Sequence, residues 1–425
     1  MNRGWKAPLI IVAQLPVALL TTSAFTQTPS THPNSDAATQ VTSAWVYVLT
    51  TQGVDVYDAA ADGKLTLLKG SPFKVTGTIV ASNGSHLITL GEDLVHSYAV
   101  ESNGAIGKQA SQIDTQDFDG SRCGNLNGAQ AVLDHAGRNL YVQIVANNNA
   151  PCAAVQTYDV AKGSGQLSFA GAAVDTDFPA DALADNDCCT RLTIAGNDDF
   201  AYSVTEQGVF WNGSLIGYRR QSDGALQLFG LNEEDPPAQP GQGYGPTYTP
   251  PLAVAADPAG HLAALTQGYV DGQSVMQLAT YSIDKEGNVS STNTWKNMPT
   301  VTTAAWQAGY EFSSVLSMSP TGELLAVETS PQCQNCDTPW GFQLFHFNGA
   351  APITQYSPIL LSNVIVRQMS WDKSNHLYIL GTDLGVTPAE VKLYVFTATP
   401  TTIAQDSGSP YLIKNPANGL VVVSR

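Results

Sequence analysis

Apolar residues along the chain come in short runs of four to eight, cut by turns rich in Gly, Asn, Pro and Asp. Such runs read as strands. Helical periodicity over ten or more residues is confined to the amino-terminal segment. One phrase then recurs: an apolar strand, a tight turn, a strand of the Leu-Tyr-Val type, a variable loop, and Val-x-x-Tyr. A Gly-x-Leu turn and a last strand often follow. The turn with its second strand occurs at Asn83-Gly84 and His86–Ile88, at Ala136-Gly137 and Asn139–Val142, and at Asn197-Asp198 and Phe200–Tyr202. It returns at Pro258–Gly260 and His261-Leu262, at Pro320–Gly322 and Leu324–Val327, and at Ser374-Asn375 and His376–Ile379. The third-strand signature follows as Val95/Tyr98, Val155/Tyr158, Leu215/Tyr218, Leu278/Tyr281, Leu344/Phe347 and Leu393/Phe396.

These six copies are spaced by about 49 to 66 residues, the length of a four-stranded propeller blade with its loops. A seventh is divided between the chain ends. Trp45–Val48, Val54/Tyr57 and Gly63-Lys64-Leu65 form a copy lacking its first strand, which Tyr411-Leu412-Ile413 is expected to supply, with Pro416–Gly419 as the turn after it. The second-strand place is open to either Trp45–Val48 or Leu420–Ser424. Gly70-Ser71-Pro72-Phe73 also echoes Gly408-Ser409-Pro410-Tyr411. An open ring would expose two sheet edges and two apolar faces, whereas a shared blade removes both. The expectation is an all-β, seven-bladed β-propeller of four-stranded antiparallel blades, closed by its terminal strands.

The start of the chain departs from this pattern. Arg3 and Lys6 precede an apolar run from Ala7 to Leu20, then Thr21-Thr22-Ser23-Ala24. That is the layout of a secretory signal peptide, expected over 1–24. The run is shorter than the roughly twenty residues of a spanning helix. Residues 25–43, rich in Thr, Ser, Pro and Asn, read as a tether, and 44–425 as the propeller. The expected destination is secreted or periplasmic, with no membrane span and a monomeric state.

Composition narrows the function classes. Only 13% of residues are charged, and 36 Asp and Glu outnumber 19 Lys and Arg for a net charge of −17. No basic stripe suited to phosphates occurs, which argues against a nucleic-acid partner. Walker, dinucleotide-binding, His-Glu-x-x-His and Gly-x-Ser-x-Gly motifs are absent from the sequence.

The order of first strand, Pro-x-Gly-type turn, Leu-Tyr-Val, Val-x-x-Tyr and Asp-x-x-Gly-x-Leu resembles the seven-bladed lactonase propellers. That family includes 6-phosphogluconolactonases and carboxymuconate-lactonising enzymes, and the resemblance runs from about Trp45 to Arg425. It implies a site at the mouth of the central channel, built from an Arg just before an innermost strand and a Glu ending the next strand. Arg191, in Cys189–Ile194, and Glu206, closing Phe200–Glu206, match that pair with a one-residue gap in the turn between. On this implication Arg191 polarises a lactone carbonyl and Glu206 activates water. The family's histidine-bearing phrase reads Asn125-Leu126-Asn127-Gly128-Ala129-Gln130 here, and Arg367 and Glu328 hold analogous places in other copies. An Arg–Glu contact on a polar rim is the alternative.

Loops that enter innermost strands and loops that join second to third strands share one face of a propeller. Cys123, Cys152, Cys188, Cys189, Cys333 and Cys336 all fall in such loops. A single Cys-x-x-Cys without a second matching pair does not make a zinc site, so disulfides are expected, with the pairing open. Asp117, Asp119, Asp175, Asp177, Asp185 and Asp187 cluster on that face without the ligand spacing of a calcium loop. The Pro- and Tyr-rich insertion 232–251 reads as a recognition loop or a disordered excursion. No metal or cofactor is expected. Two readings survive: an exported hydrolase of lactones or sugar-acid esters, and a non-catalytic propeller that recognises a glycan, a peptide or a protein.

Overall fold

The computed structural model describes residues 42–91, 94–115, 126–146, 153–175, 192–205, 214–232, 251–270, 273–301, 316–329 and 340–425. Second strands set the geometry, because their residues are buried on both faces. Along Thr42–Thr50, Ala44, Val46 and Val48 pack to one side while Trp45 and Tyr47 pack to the other. A strand lying between two apolar layers needs no alternation with polar residues, which is why these segments read as continuous apolar runs.

Seven antiparallel sheets result, each containing a four-stranded path. From the channel outward, blade 1 holds Thr78–Ser82, His86–Gly91, Leu94–Val100 and Ile106–Asp114. Blade 2 holds Leu126–Leu133, Asn139–Ala146, Ala153–Val160 and Leu167–Asp175, and blade 3 holds Thr193–Ile194, Phe200–Thr205, Ser214–Arg220 and Leu226–Asn232. Blade 4 runs from Pro251–Ala256 through His261–Val270 and Gln273–Ile283 to Val289–Ser290. Blade 5 comprises Leu316–Met318, Leu324–Thr329, Gly341–Asn348 and Ala351–Gln355, and blade 6 comprises Val364–Trp371, His376–Asp383, Glu390–Ala398 and Ile403–Gln405. Blade 7 is shared by the two ends of the propeller chain. Its innermost strand is Ala417–Ser424, followed outward by Thr42–Thr50, Gly53–Ala60 and Leu65–Leu67.

This settles the division of the split blade and corrects two expectations, the first being that Pro416–Gly419 is a turn: Ala417–Gly419 already belong to the innermost strand Ala417–Ser424. Trp45–Val48 lies in the second strand and Leu420–Ser424 in the first, paired antiparallel from Ala44↔Ser424 to Thr50↔Ala417. Tyr411-Leu412 is not an innermost strand. It turns back along the third strand of blade 6, where Leu412 pairs with Lys392 and Tyr411 with Leu393. Phe73 does the same in blade 7, bridging Val54. The Gly-Ser-Pro-aromatic echo thus marks a chain returning along a third strand before it crosses to the next blade.

Each seam between neighbouring blades holds one apolar cluster, including the two that close the ring. Blades 6 and 7 share Tyr378, Leu380, Val46, Val48 and Leu420. Blades 7 and 1 share Trp45, Tyr47, Val421, Val423, Ile79 and Leu87. A repeated hydrogen bond crosses three seams. Tyr47, Tyr141 and Tyr202 of second strands donate their hydroxyls to the carbonyls of Gly104, Gly224 and Gly287, at 3.1, 3.1 and 2.7 Å. Those glycines sit in the turn between the third and fourth strands of the following blade, with φ of +84°, +90° and +91°. Here is the physical reason for the Gly-x-Leu signature: the turn needs a left-handed residue and also touches the previous blade. Among the described residues, no helix is long and apolar enough to cross a membrane.

Candidate functional site

Strand direction assigns the two ends of the channel. Chain segments entering innermost strands and those joining second to third strands emerge at one end. A cleft opens there, where blade 7 meets blades 6 and 1. Its volume is about 420 Å³. The floor is the turn Leu49–Gly53 of blade 7, and one wall is the incoming segment with Lys74, Val75 and Gly77. Pro416, Ala417 and Asn418 at the start of the last innermost strand form another wall, with Arg367 of blade 6 beside them.

Backbone fit shapes the floor. Val54 and Phe73 exchange both backbone hydrogen bonds at 2.8 Å. A Cβ on Gly53, whose φ is +130°, would lie 2.4 Å from the Phe73 carbonyl oxygen. Thr50 donates its hydroxyl to the Gly53 carbonyl at 2.8 Å and accepts the Gln52 amide at 3.2 Å, fixing the turn. Thr51 N–H donates to the Pro416 carbonyl at 2.9 Å, tying both chain ends into the same wall.

Two cations line this cleft. Arg367 sits at a bulge between Val366 and Gln368, and its Nε donates to Thr382 Oγ1 at 2.8 Å. The bulge turns Arg367 away from the seam with blade 5, which takes Val364, Val366 and Met369 instead. Lys74 Nζ donates to the Gln52 carbonyl at 2.6 Å. The smaller cleft, of about 210 Å³, lies at the opposite end between blades 3 and 4 and mixes Asp284 with Lys285.

Glu328 is the penultimate residue of the second strand of blade 5, on the side of Leu324 and Ala326, which face blade 6. Burial pushes its carboxyl up to about 8, and no described residue supplies a charge or hydrogen bond to oppose that. An unfolded Glu titrates near 4.5, so the native state keeps a proton that the unfolded state releases. Stability contributed by the neutral carboxyl is complete below about pH 4.5 and is lost as pH rises through about 8. In urea titrations across this window, Glu328→Gln is expected to remove that fall and to exceed the native protein in stability above pH 8. Parallel curves for the two proteins would contradict the assignment.

Arg191 and Glu206 lie outside the described residues, as do all six cysteines, Asp117, Asp119, Asp177, Asp185 and Asp187, and the insertion from 233 to 250. Their described neighbours are Leu192, next to the innermost strand of blade 3, and Thr205, ending the strand beside it. Thr193 pairs with Tyr202. Arg367 was read in the sequence as analogous to Arg191, just before an innermost strand, whereas it lies within the innermost strand Val364–Trp371. Lys74 and Gln52 carried no motif, and Asn418 stood in the sequence only as part of the expected turn Pro416–Gly419. Among the described residues, no three His, Cys, Asp or Glu side chains gather as metal ligands.

No family model matches the chain, and no curated protein matches it. Solved structures do. One is a candidate 6-phosphogluconolactonase from Bacteroides fragilis, at 13% identity and a TM-score of 0.37, covering 92% of this chain and 100% of that one. Another is hydrazine synthase from Kuenenia stuttgartiensis, at 13% identity and a TM-score of 0.45, covering 84% of this chain and 99% of that one. The Dos1 propeller matches at 10% identity and a TM-score of 0.41, covering 84% of this chain and 72% of that one. The seven blades of this protein rest on its own strand pairing.

Proposed function

We propose that this chain is an exported, lactonase-like propeller that takes a small lactone or sugar-acid ester at the loop-bearing end of its channel. The observation that carries the reading is the placement of Leu192 and Thr205. Leu192 immediately precedes the innermost strand Thr193–Ile194 and Thr205 ends the strand paired with it, and Arg191 and Glu206 are the next residues of the sequence in each case. In the proposed reaction Arg191 holds the developing oxyanion while Glu206 takes a proton from the attacking water. The ring C–O bond of the lactone breaks and a hydroxy acid leaves, releasing one proton at neutral pH.

The second reading is a binding propeller that recognises a glycan, a peptide or a protein without turning it over. It is favoured by the absence of His from Asn125–Gln130.

Proton release from a panel of sugar-acid and aliphatic lactones separates the two. Protein starting near Thr26 is expected to hydrolyse at least one member of the panel. Arg191→Ala is expected to lose about a hundredfold in rate, the usual loss for one oxyanion donor, and Glu206→Gln to fall as well. Equal rates in all three proteins, or none above buffer, would remove the hydrolase and leave the binding propeller.

A further inference from the structure

We propose that the cleft between blades 6, 7 and 1 is a binding site for a small hydroxylated anion, held by Arg367 and Lys74. The proposal draws on neither Arg191 nor Glu206 and does not depend on catalysis by them.

The argument starts from charge. This chain has 36 Asp and Glu and 19 Lys and Arg, yet among the described residues the cleft is lined by one Arg, one Lys and no Asp or Glu. The lining therefore runs against the composition of the protein around it. A concave, low-dielectric wall carrying charge of one sign focuses its field into the opening and concentrates ions of the opposite sign. Lys74 is in no ion pair among the described residues, and its partner is the neutral Gln52 carbonyl. Such a bond orients the ammonium without neutralising it. Arg367 is steadied through Nε by Thr382, which fixes the plane of its guanidinium beside the channel.

The remaining lining selects the rest of the ligand. Thr51, Gln52 and Asn418 bring hydroxyl and amide groups to the cleft, and no aromatic side chain among the described residues lines it. That chemistry suits hydroxyl groups better than an apolar ring. A volume of about 420 Å³ is at the small end of ligand pockets and accommodates a molecule the size of a hexose acid. The walls come from an innermost strand of blade 6, the start of the last innermost strand, and the segment entering blade 1. A ligand here would bridge the seams on both sides of the closing blade.

Isothermal titration of the full propeller with gluconate, with glucose as the neutral analogue and glucose 6-phosphate as the phosphate counterpart, tests this. Gluconate or glucose 6-phosphate is expected to bind at least tenfold more tightly than glucose, and whichever anion is tighter identifies the headgroup. Arg367→Gln and Lys74→Gln are each expected to weaken that anion at least tenfold. Lys162→Gln, remote from the cleft, is expected to leave affinity unchanged. Asn418→Asp, at an exposed position, places a carboxylate in the cleft and is expected to weaken the anion without affecting the thermal midpoint. Equal affinity for glucose and both anions would overturn the site. So would undiminished anion binding in Arg367→Gln, Lys74→Gln and Asn418→Asp. Arg191→Ala is expected to bind the anion as the native protein does, so failure of the lactonase reading and failure of this one are distinguishable.

Discussion

A chain ending at Pro416 is expected to lose cooperative folding. Its missing segment, Ala417–Arg425, contains the whole innermost strand of blade 7. That strand pairs with Thr42–Thr50 over its length and packs beside the innermost strands of blades 6 and 1. Leu420 belongs to the apolar cluster between blades 6 and 7, while Val421 and Val423 belong to that between blades 7 and 1. Each of those three side chains contributes about 1.5–3 kcal/mol on burial. Their sum approaches the total stability of an ordinary domain, roughly 5–15 kcal/mol. The deletion also bares the backbone edge of Thr42–Thr50 and opens two seams at once, so the loss is not confined to blade 7. Circular dichroism melting of the truncated chain is expected to show no sharp transition, or one lowered by tens of degrees. A midpoint near that of the full chain would mean that the ring does not depend on this closure.

Gly104→Ala is expected to be strongly destabilising. Gly104 has φ +84°, and a Cβ there would lie 2.3 Å from the Trp45 indole, in the seam between blades 7 and 1. The same residue's carbonyl accepts the Tyr47 hydroxyl at 3.1 Å. A left-handed alanine costs about 1–2 kcal/mol, and overpacking a buried contact adds about 1–3 kcal/mol. Gly163→Ala separates these contributions. Its φ is +90°, and nothing lies within 4 Å of the added Cβ. In urea unfolding, Gly104→Ala is expected to exceed Gly163→Ala by about 1–3 kcal/mol. Equal losses would show that backbone conformation alone, and not contact between blades, selects the glycine.

Second and third strands were legible in the sequence for a reason the seams explain. Residues such as Leu377 to Leu380 face apolar neighbours on both sides, Leu377 and Ile379 toward blade 5, Tyr378 and Leu380 toward blade 7. Innermost strands carry less signal. Thr193–Ile194 and Leu316–Met318 are short, and Val364–Trp371 includes Arg367 and Gln368 because part of it faces the channel. The last innermost strand misleads in the other direction. Leu420 to Val423 reads like a second strand because both of its sides meet apolar clusters. Tyr411-Leu412-Ile413 in turn has the apolar look of a first strand, but follows Pro410 back along Lys392 and Leu393.

The cleft was less accessible to sequence reasoning than the fold. Gln52, Lys74, Arg367 and Asn418 come from places far apart in the chain, and only ring closure gathers them. No local spacing announces such a site. Glu328 could be noticed by its position, but its raised pKa comes from the protein packed around it, which no motif records.

Hydrogen–deuterium exchange with and without a saturating hydroxylated anion tests most directly that the loop-bearing end of the channel is the working end. The account predicts added protection in peptides covering Leu49–Gly53, Lys74–Gly77 and Pro416–Asn418, three of the segments that line the cleft. Protection confined to Asn197, Pro258–Gly260 and Ile283–Lys285 at the opposite end, or no change in any peptide, would contradict it.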